Sequence, residues 1–152
     1  MASADFHHLC AELCARLGVA CPELAPEPTG LSAMSLRLHG VDLSLVERLD
    51  GAQATLLVLV EFGAPPPERE LAVWQALAEA NFLMLAPQAP AFSRNPANGE
   101  VVLQYACPLA QAQAAGLHRS LLEMTELATR WRRDCFEAPA DDRPAPTGIR
   151  FA

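Results

Sequence analysis

The chain contains no lysine: its eleven basic residues are all arginine. That absence removes whole chemistries, because a phosphate loop ending in Gly-Lys-Ser/Thr, a Schiff-base lysine and a pyridoxal site each need a lysine amine. Positive charge is scarce overall, with eighteen acidic residues setting the net charge at −7. Nucleic-acid affinity comes mainly from a basic surface that neutralises phosphates, so no nucleic-acid partner is expected. The sequence also lacks a run of the roughly 18 apolar residues needed to cross a bilayer. Met1 to His8 carries Asp5 in place of the basic start of a secretory leader. No membrane insertion is expected, and the expected location is the cytoplasm. The five cysteines, at 10, 14, 21, 107 and 135, are odd in number and scattered, unlike a secreted disulfide framework. They read as reduced thiols.

What the chain has in excess is apolar residues. Of its 152 residues 51% are hydrophobic and only 19% charged, and the mean hydropathy is +0.14. The length suits one domain with a sizeable core. The surplus suggests apolar surface that meets a partner.

The periodicity predicts an α+β order of helix, three strands, helix, two strands, helix. Asp5 to Leu17 is amphipathic, with Phe6, Leu9, Cys10, Leu13 and Leu17 on one face, and Gly18 ends it. Cys21 to Gly30 reads as a proline-rich loop. From Met34 to Glu47 apolar residues alternate around His39-Gly40, a two-residue turn. That turn fixes the register: Leu38 opposite Val41, Leu36 opposite Leu43 and Met34 opposite Leu45, all on one face. Asp50-Gly51 then leads into Thr55 to Phe62, whose unbroken Leu-Leu-Val-Leu-Val run suggests a strand covered on both sides.

A second helix opens at Glu68-Arg69-Glu70 with acid in its first turn. It is apolar around more than half its circumference: Leu71, Trp74, Ala78, Phe82 and Leu85 form one face, and Val73, Leu77, Ala80 and Met84 an adjacent one. One stripe suffices for a surface helix. The other is expected to meet a twin subunit or to lie under a larger sheet. Asn98-Gly99 signals a hairpin between a short strand at Ala91 to Ser93 and the alternating Glu100 to Ala106. Leu109 to Cys135 reads as a last helix with a stripe at Leu117, Leu121, Met124, Ala128, Trp131 and Cys135, its first turns weakened by Gly116. The expected domain spans residues 1–136. Residues 137–152, rich in proline, are expected to be a disordered tail.

No catalytic constellation emerges. His7, Cys10 and Cys14 share one side of the first helix, but a closed zinc site needs a fourth ligand, and paired Cys-x-x-Cys elements are missing. Buried cysteine is the plainer reading. No histidine stands in an activating context beside a cysteine. Asp141-Asp142 lie in the tail, and Arg130, Arg132 and Arg133 read as favourable charge at a helix C-terminus. No cofactor is expected, and the chain is not expected to be an enzyme.

Taken in order, several points resemble the class I chaperones of bacterial type III secretion, the Tir-chaperone family. They are Phe6, Leu9 and Leu13 of the first helix, the Leu36-Arg37-Leu38 to Val41-Asp42-Leu43 hairpin, and Leu57 to Phe62 ending near Gly63. Ala80-Asn81-Phe82-Leu83, the Asn95 to Leu103 hairpin and Pro108-Leu109 complete the set. The departures are Ala86 to Pro90, where such chaperones often carry a glycine-rich link, and the tail. The resemblance implies a homodimer, working without ATP or metal, that binds the N-terminal region of one or more secreted effectors and keeps it fit for export. An extended cargo adding to a strand edge suits that role. Phe6, Leu9, Leu13, Leu36, Leu38 and Leu43 are the candidate effector-binding residues. Val73, Leu77, Met84 and Phe92 are the candidates for the twofold interface. Two alternatives stand beside this reading: an adaptor regulating secretion or transcription, and a small cysteine-dependent enzyme.

Overall fold

The computed structural model describes residues 3–26, 31–50 and 53–136. The expected tail and the Gly51 end of the second turn lie outside them. The elements run α1 (Ala4–Leu17), β1 (Ala25–Pro26), β2 (Ser32–Leu38), β3 (Val41–Asp50), β4 (Gln53–Gly63), α2 (Glu70–Leu83), β5 (Ala91–Arg94), β6 (Val101–Pro108) and α3 (Ala114–Asp134). Every strand pairing is antiparallel, in the order β1-β2-β3-β4-β6-β5. The α+β order is the one expected, apart from the two-residue β1 inside the segment expected to be a loop.

The β2–β3 hairpin has the expected register, with Leu38 opposite Val41, Leu36 opposite Leu43 and Met34 opposite Leu45. His39 and Gly40 both have positive φ, 49° and 78°, as a tight primed turn requires. On the face shared by these six residues lie the buried Leu56, Val58 and Val60 of β4 and Leu103 of β6. Helices α1 and α3 pack there, against each other and the sheet. Phe62 sits in the bulge between Glu61 and Gly63 and meets Trp131 and Phe92 edge-on or tilted, at ring-centroid distances of 5.8 and 5.3 Å.

β4 differs from its expectation of cover on both sides. Leu57 and Leu59 point to the opposite face, beside Val46 of β3 and Ala106 and Gln104 of β6, and are only half-buried. An unbroken apolar run reports composition, and cannot by itself distinguish two covered faces from one.

Ser3 caps α1, its hydroxyl accepting from the Phe6 N–H at 3.1 Å, while its own N–H donates to Glu47 Oε2 at 2.8 Å. Glu47 is buried on β3, so this bond fastens the start of α1 to the sheet. Gly18, at φ 68°, closes the other end with bonds back to Ala15 and Cys14. Before α2 the chain makes a 3-10 turn, Pro67–Arg69, so the regular helix starts at Glu70. A second 3-10 turn, Leu109–Gln111, precedes α3, and the long helix begins only at Ala114.

Candidate functional site

α1 and the β2–β3 hairpin bring all six effector-binding candidates into one layer. Phe6, Leu13 and Leu43 are fully enclosed, and Leu9, Leu36 and Leu38 nearly so. They form an inner wall of the fold, and the rim around them reaches solvent. Leu9 lines an open groove of about 580 Å³ between α1 and the start of α3, together with Asp5, Glu12, Arg16, Leu109 and Gln113.

The outer side of the hairpin is an unfinished sheet edge. A two-residue hairpin makes the flanking pair, Leu38 and Val41, exchange hydrogen bonds, and bonded and non-bonded pairs then alternate along the strands. The backbone groups of Ala33, Ser35 and Arg37 therefore point away from β3. β1 meets β2 only at Ser32 and Ala33. Among the described residues no strand lies across Ser35 and Arg37. The Arg37 guanidinium pairs with Asp42 across the hairpin through two bonds of 2.7 Å, which raises the arginine's pKa and lowers the aspartate's.

The twofold candidates divide differently. Val73, Leu77 and Phe92 are buried in the core of the chain, and Met84 is half-buried against it. The face chosen for a partner faces inward, while Leu71 and Phe82 of the other face stand 74% and 72% exposed, next to Leu83 and Leu85. Apolar spacing marks two stripes on such a helix but does not say which one its own sheet will cover. Leu77 and Phe92 still line a groove of about 410 Å³ with Trp74, Ala78, Asn81 and Arg94.

Two polar residues were given no contact by the sequence. Asn81 of α2 donates from Nδ2 to the Phe92 carbonyl at 3.0 Å and accepts the Phe92 N–H at Oδ1 at 2.7 Å. Arg132 of α3 donates to the carbonyls of Phe62, Gly40 and Glu61 at 2.7, 2.9 and 3.0 Å. For Asn81 a signal existed, an asparagine within the Ala80 to Leu83 motif. For Arg132 there was none, since its partners lie at least 70 positions away.

The thiols are poor nucleophiles where a shift is seen. Burial pushes Cys10 up to about 12 and Cys14 to about 11, and raises Cys107 as well. Among the described residues no three His, Cys, Asp or Glu side chains gather as metal ligands, and no helix is long and apolar enough to cross a membrane.

Among the described residues the arrangement is a small α+β fold with an open strand edge at β2, grooves beside its helices and an apolar face of α2 turned outward. Residues 8–132 match the model of the Tir chaperone protein (CesT) family. The chain belongs to that family. Solved structures share its fold: a chain of the ExsC-ExsE complex (TM-score 0.69, 20% identity, covering 87% of this chain and 94% of that one), a chain of the ExoT-SpcS complex from Pseudomonas aeruginosa (0.57, 21%, 85% and 98%), and a chain of the HopA1-SchA chaperone-effector complex (0.60, 16%, 85% and 94%). No relative of significant similarity is found among curated proteins.

Proposed function

We propose that this protein is a type III secretion chaperone that acts as a homodimer in the bacterial cytoplasm, binding the N-terminal region of one or more effectors without ATP and keeping it fit for export. The observation that carries the reading is the family match over residues 8–132. It is supported by a fold shared with a chain of the HopA1-SchA chaperone-effector complex. The surfaces suit the task. An extended cargo segment gains backbone bonds at Ser35 and Arg37 of β2 and lays apolar side chains along the rim of the layer formed by Phe6, Leu9, Leu13, Leu36, Leu38 and Leu43. The twofold contact is made through α2, with exposed Leu71, Phe82 and Leu85 in the interface and Val73, Leu77, Met84 and Phe92 supporting it from within.

The test is to tag the protein in its native bacterium, isolate it under reducing conditions and identify by mass spectrometry what co-purifies in stoichiometric amount. A secreted protein held through its N-terminal region is the expected result. A transcriptional or secretion regulator in its place would favour the adaptor, and recovery of no partner would count against both.

A further inference from the structure

We propose that Asn81 stands in for a missing strand and closes the outer edge of β5 to strand addition by a second polypeptide, another copy of this chain included. This holds whether or not the protein escorts secreted cargo. Among the described residues β5 is the last strand of the sheet, and such edges present unpaired N–H and C=O groups that recruit further strands. Asn95 donates to the Glu100 carbonyl at 2.8 Å, so the alternation of an antiparallel pair turns the backbone groups of Phe92 and Arg94 outward.

Phe92 is where Asn81 acts. Its side-chain amide offers one donor and one acceptor, and these take the Phe92 carbonyl and N–H together. A residue on a neighbouring strand would make the same two bonds in a bonded antiparallel pair. Only an amide of this length does so. Aspartate accepts without donating, leucine does neither, and glutamine carries its amide one methylene too far. A simple tie between α2 and β5 needs no such match, because Leu77 and Phe92 already belong to one buried core and line one groove.

The rest of the edge is blunted too. Pro90, just before β5, has no N–H to offer. The Arg94 guanidinium folds over Gly99, with its Nη2 3.0 Å from where a Cβ would stand, and puts a charge at the remaining outward position.

The experiment uses the full chain as wild type, Asn81→Ala and Leu121→Val, the last opening a small core cavity under α3, away from α2 and the edge. The probe is a fluorescent peptide copying residues 101–106, the strand that β5 already pairs with. In Asn81→Ala the Phe92 amide should exchange with solvent at least roughly tenfold faster, as expected for a locally opened edge. Peptide affinity should rise by about tenfold or more over wild type, in line with backbone pairing at an exposed edge. Leu121→Val should gain no affinity. Faster exchange at Phe92 without tighter peptide binding overturns the proposal, as does equal gain in Leu121→Val. If Asn81→Ala does not fold, Asn81→Gln replaces it under the same two criteria.

Discussion

The guanidinium of Arg132 donates to the main-chain carbonyl of Phe62 at 2.7 Å, joining the last turns of α3 to the β4 bulge. Two further bonds, to Gly40 and Glu61, make this one side chain the junction of three segments that are remote in sequence. The planar fork of arginine can reach three carbonyls at once, whereas an ammonium on a flexible stem cannot hold the same geometry.

Replacing Arg132 with alanine should therefore lower stability by about 2–4 kcal/mol, since hydrogen bonds involving a charged group are each worth more than neutral ones. Arg132→Lys should recover less than half of that loss. Urea unfolding at fixed protein concentration checks both values. Equal stability of the lysine variant and wild type would show that charge, and not the fork, is what matters.

The two faces of α2 give opposite outcomes for one kind of substitution. Leu77 is 2% exposed, so Leu77→Asp buries an unpaired charge and should leave the protein unfolded or insoluble. Phe82 is open to solvent, so Phe82→Asp should keep the fold and, on the proposed twofold contact, halve the mass measured by light scattering. A soluble Phe82→Asp protein with the mass of wild type would remove α2 from the interface.

These residues also show what the sequence could and could not convey. The β2–β3 register was legible because His39-Gly40 fixes the pairing and one face is apolar, so local rules suffice. The boundary of α1 was legible through Gly18. The choice between Val73 with Leu77 and Leu71 with Phe82 was not, because it depends on where α2 lies against β5, a relation no periodicity encodes. The Asn98-Gly99 turn was half legible. The hairpin exists, but Asn95 and Glu100 close a longer loop, in which the side chains of Asn95 and Asn98 accept from Ala97 and Glu100. Arg132, Asn81 and the buried Glu47 act through contacts made only once the chain has folded.

Thiol reactivity separates a binding protein from a cysteine enzyme. Cys21 is exposed, whereas Cys10, Cys14 and Cys135 are buried. With Cys10 held near 12 and Cys14 near 11, almost no thiolate exists there at neutral pH. Under a small excess of an aromatic disulfide at pH 7 the expected order is Cys21 first, then Cys107, with Cys10 and Cys14 reacting only on unfolding. Fast labelling of Cys10 or Cys14 in the folded protein would contradict the burial seen here.

Glu61 offers a test with a defined direction in pH. It faces a pocket of about 440 Å³ that also holds Asp42, Glu100 and Arg132. Burial raises its pKa above 4.5, Glu100 and Asp42 add to that, and Arg132 and Arg37 partly offset it. A carboxyl whose pKa is raised by folding binds its proton more tightly in the folded state. The stability it contributes is complete below 4.5, the unfolded value, and is lost as pH rises through the folded value. Glu61→Gln keeps the neutral form at every pH. Its stability relative to wild type should accordingly climb as pH rises above 4.5 and level off once wild-type Glu61 is fully ionised. In an Arg132→Ala background the climb should continue to higher pH, because the larger offsetting charge is gone. Urea midpoints for the four proteins between acid and neutral pH measure this directly, and a Glu61→Gln protein less stable than wild type at pH 7 would mean that the ionised carboxylate is stabilised by a contact stronger than its burial.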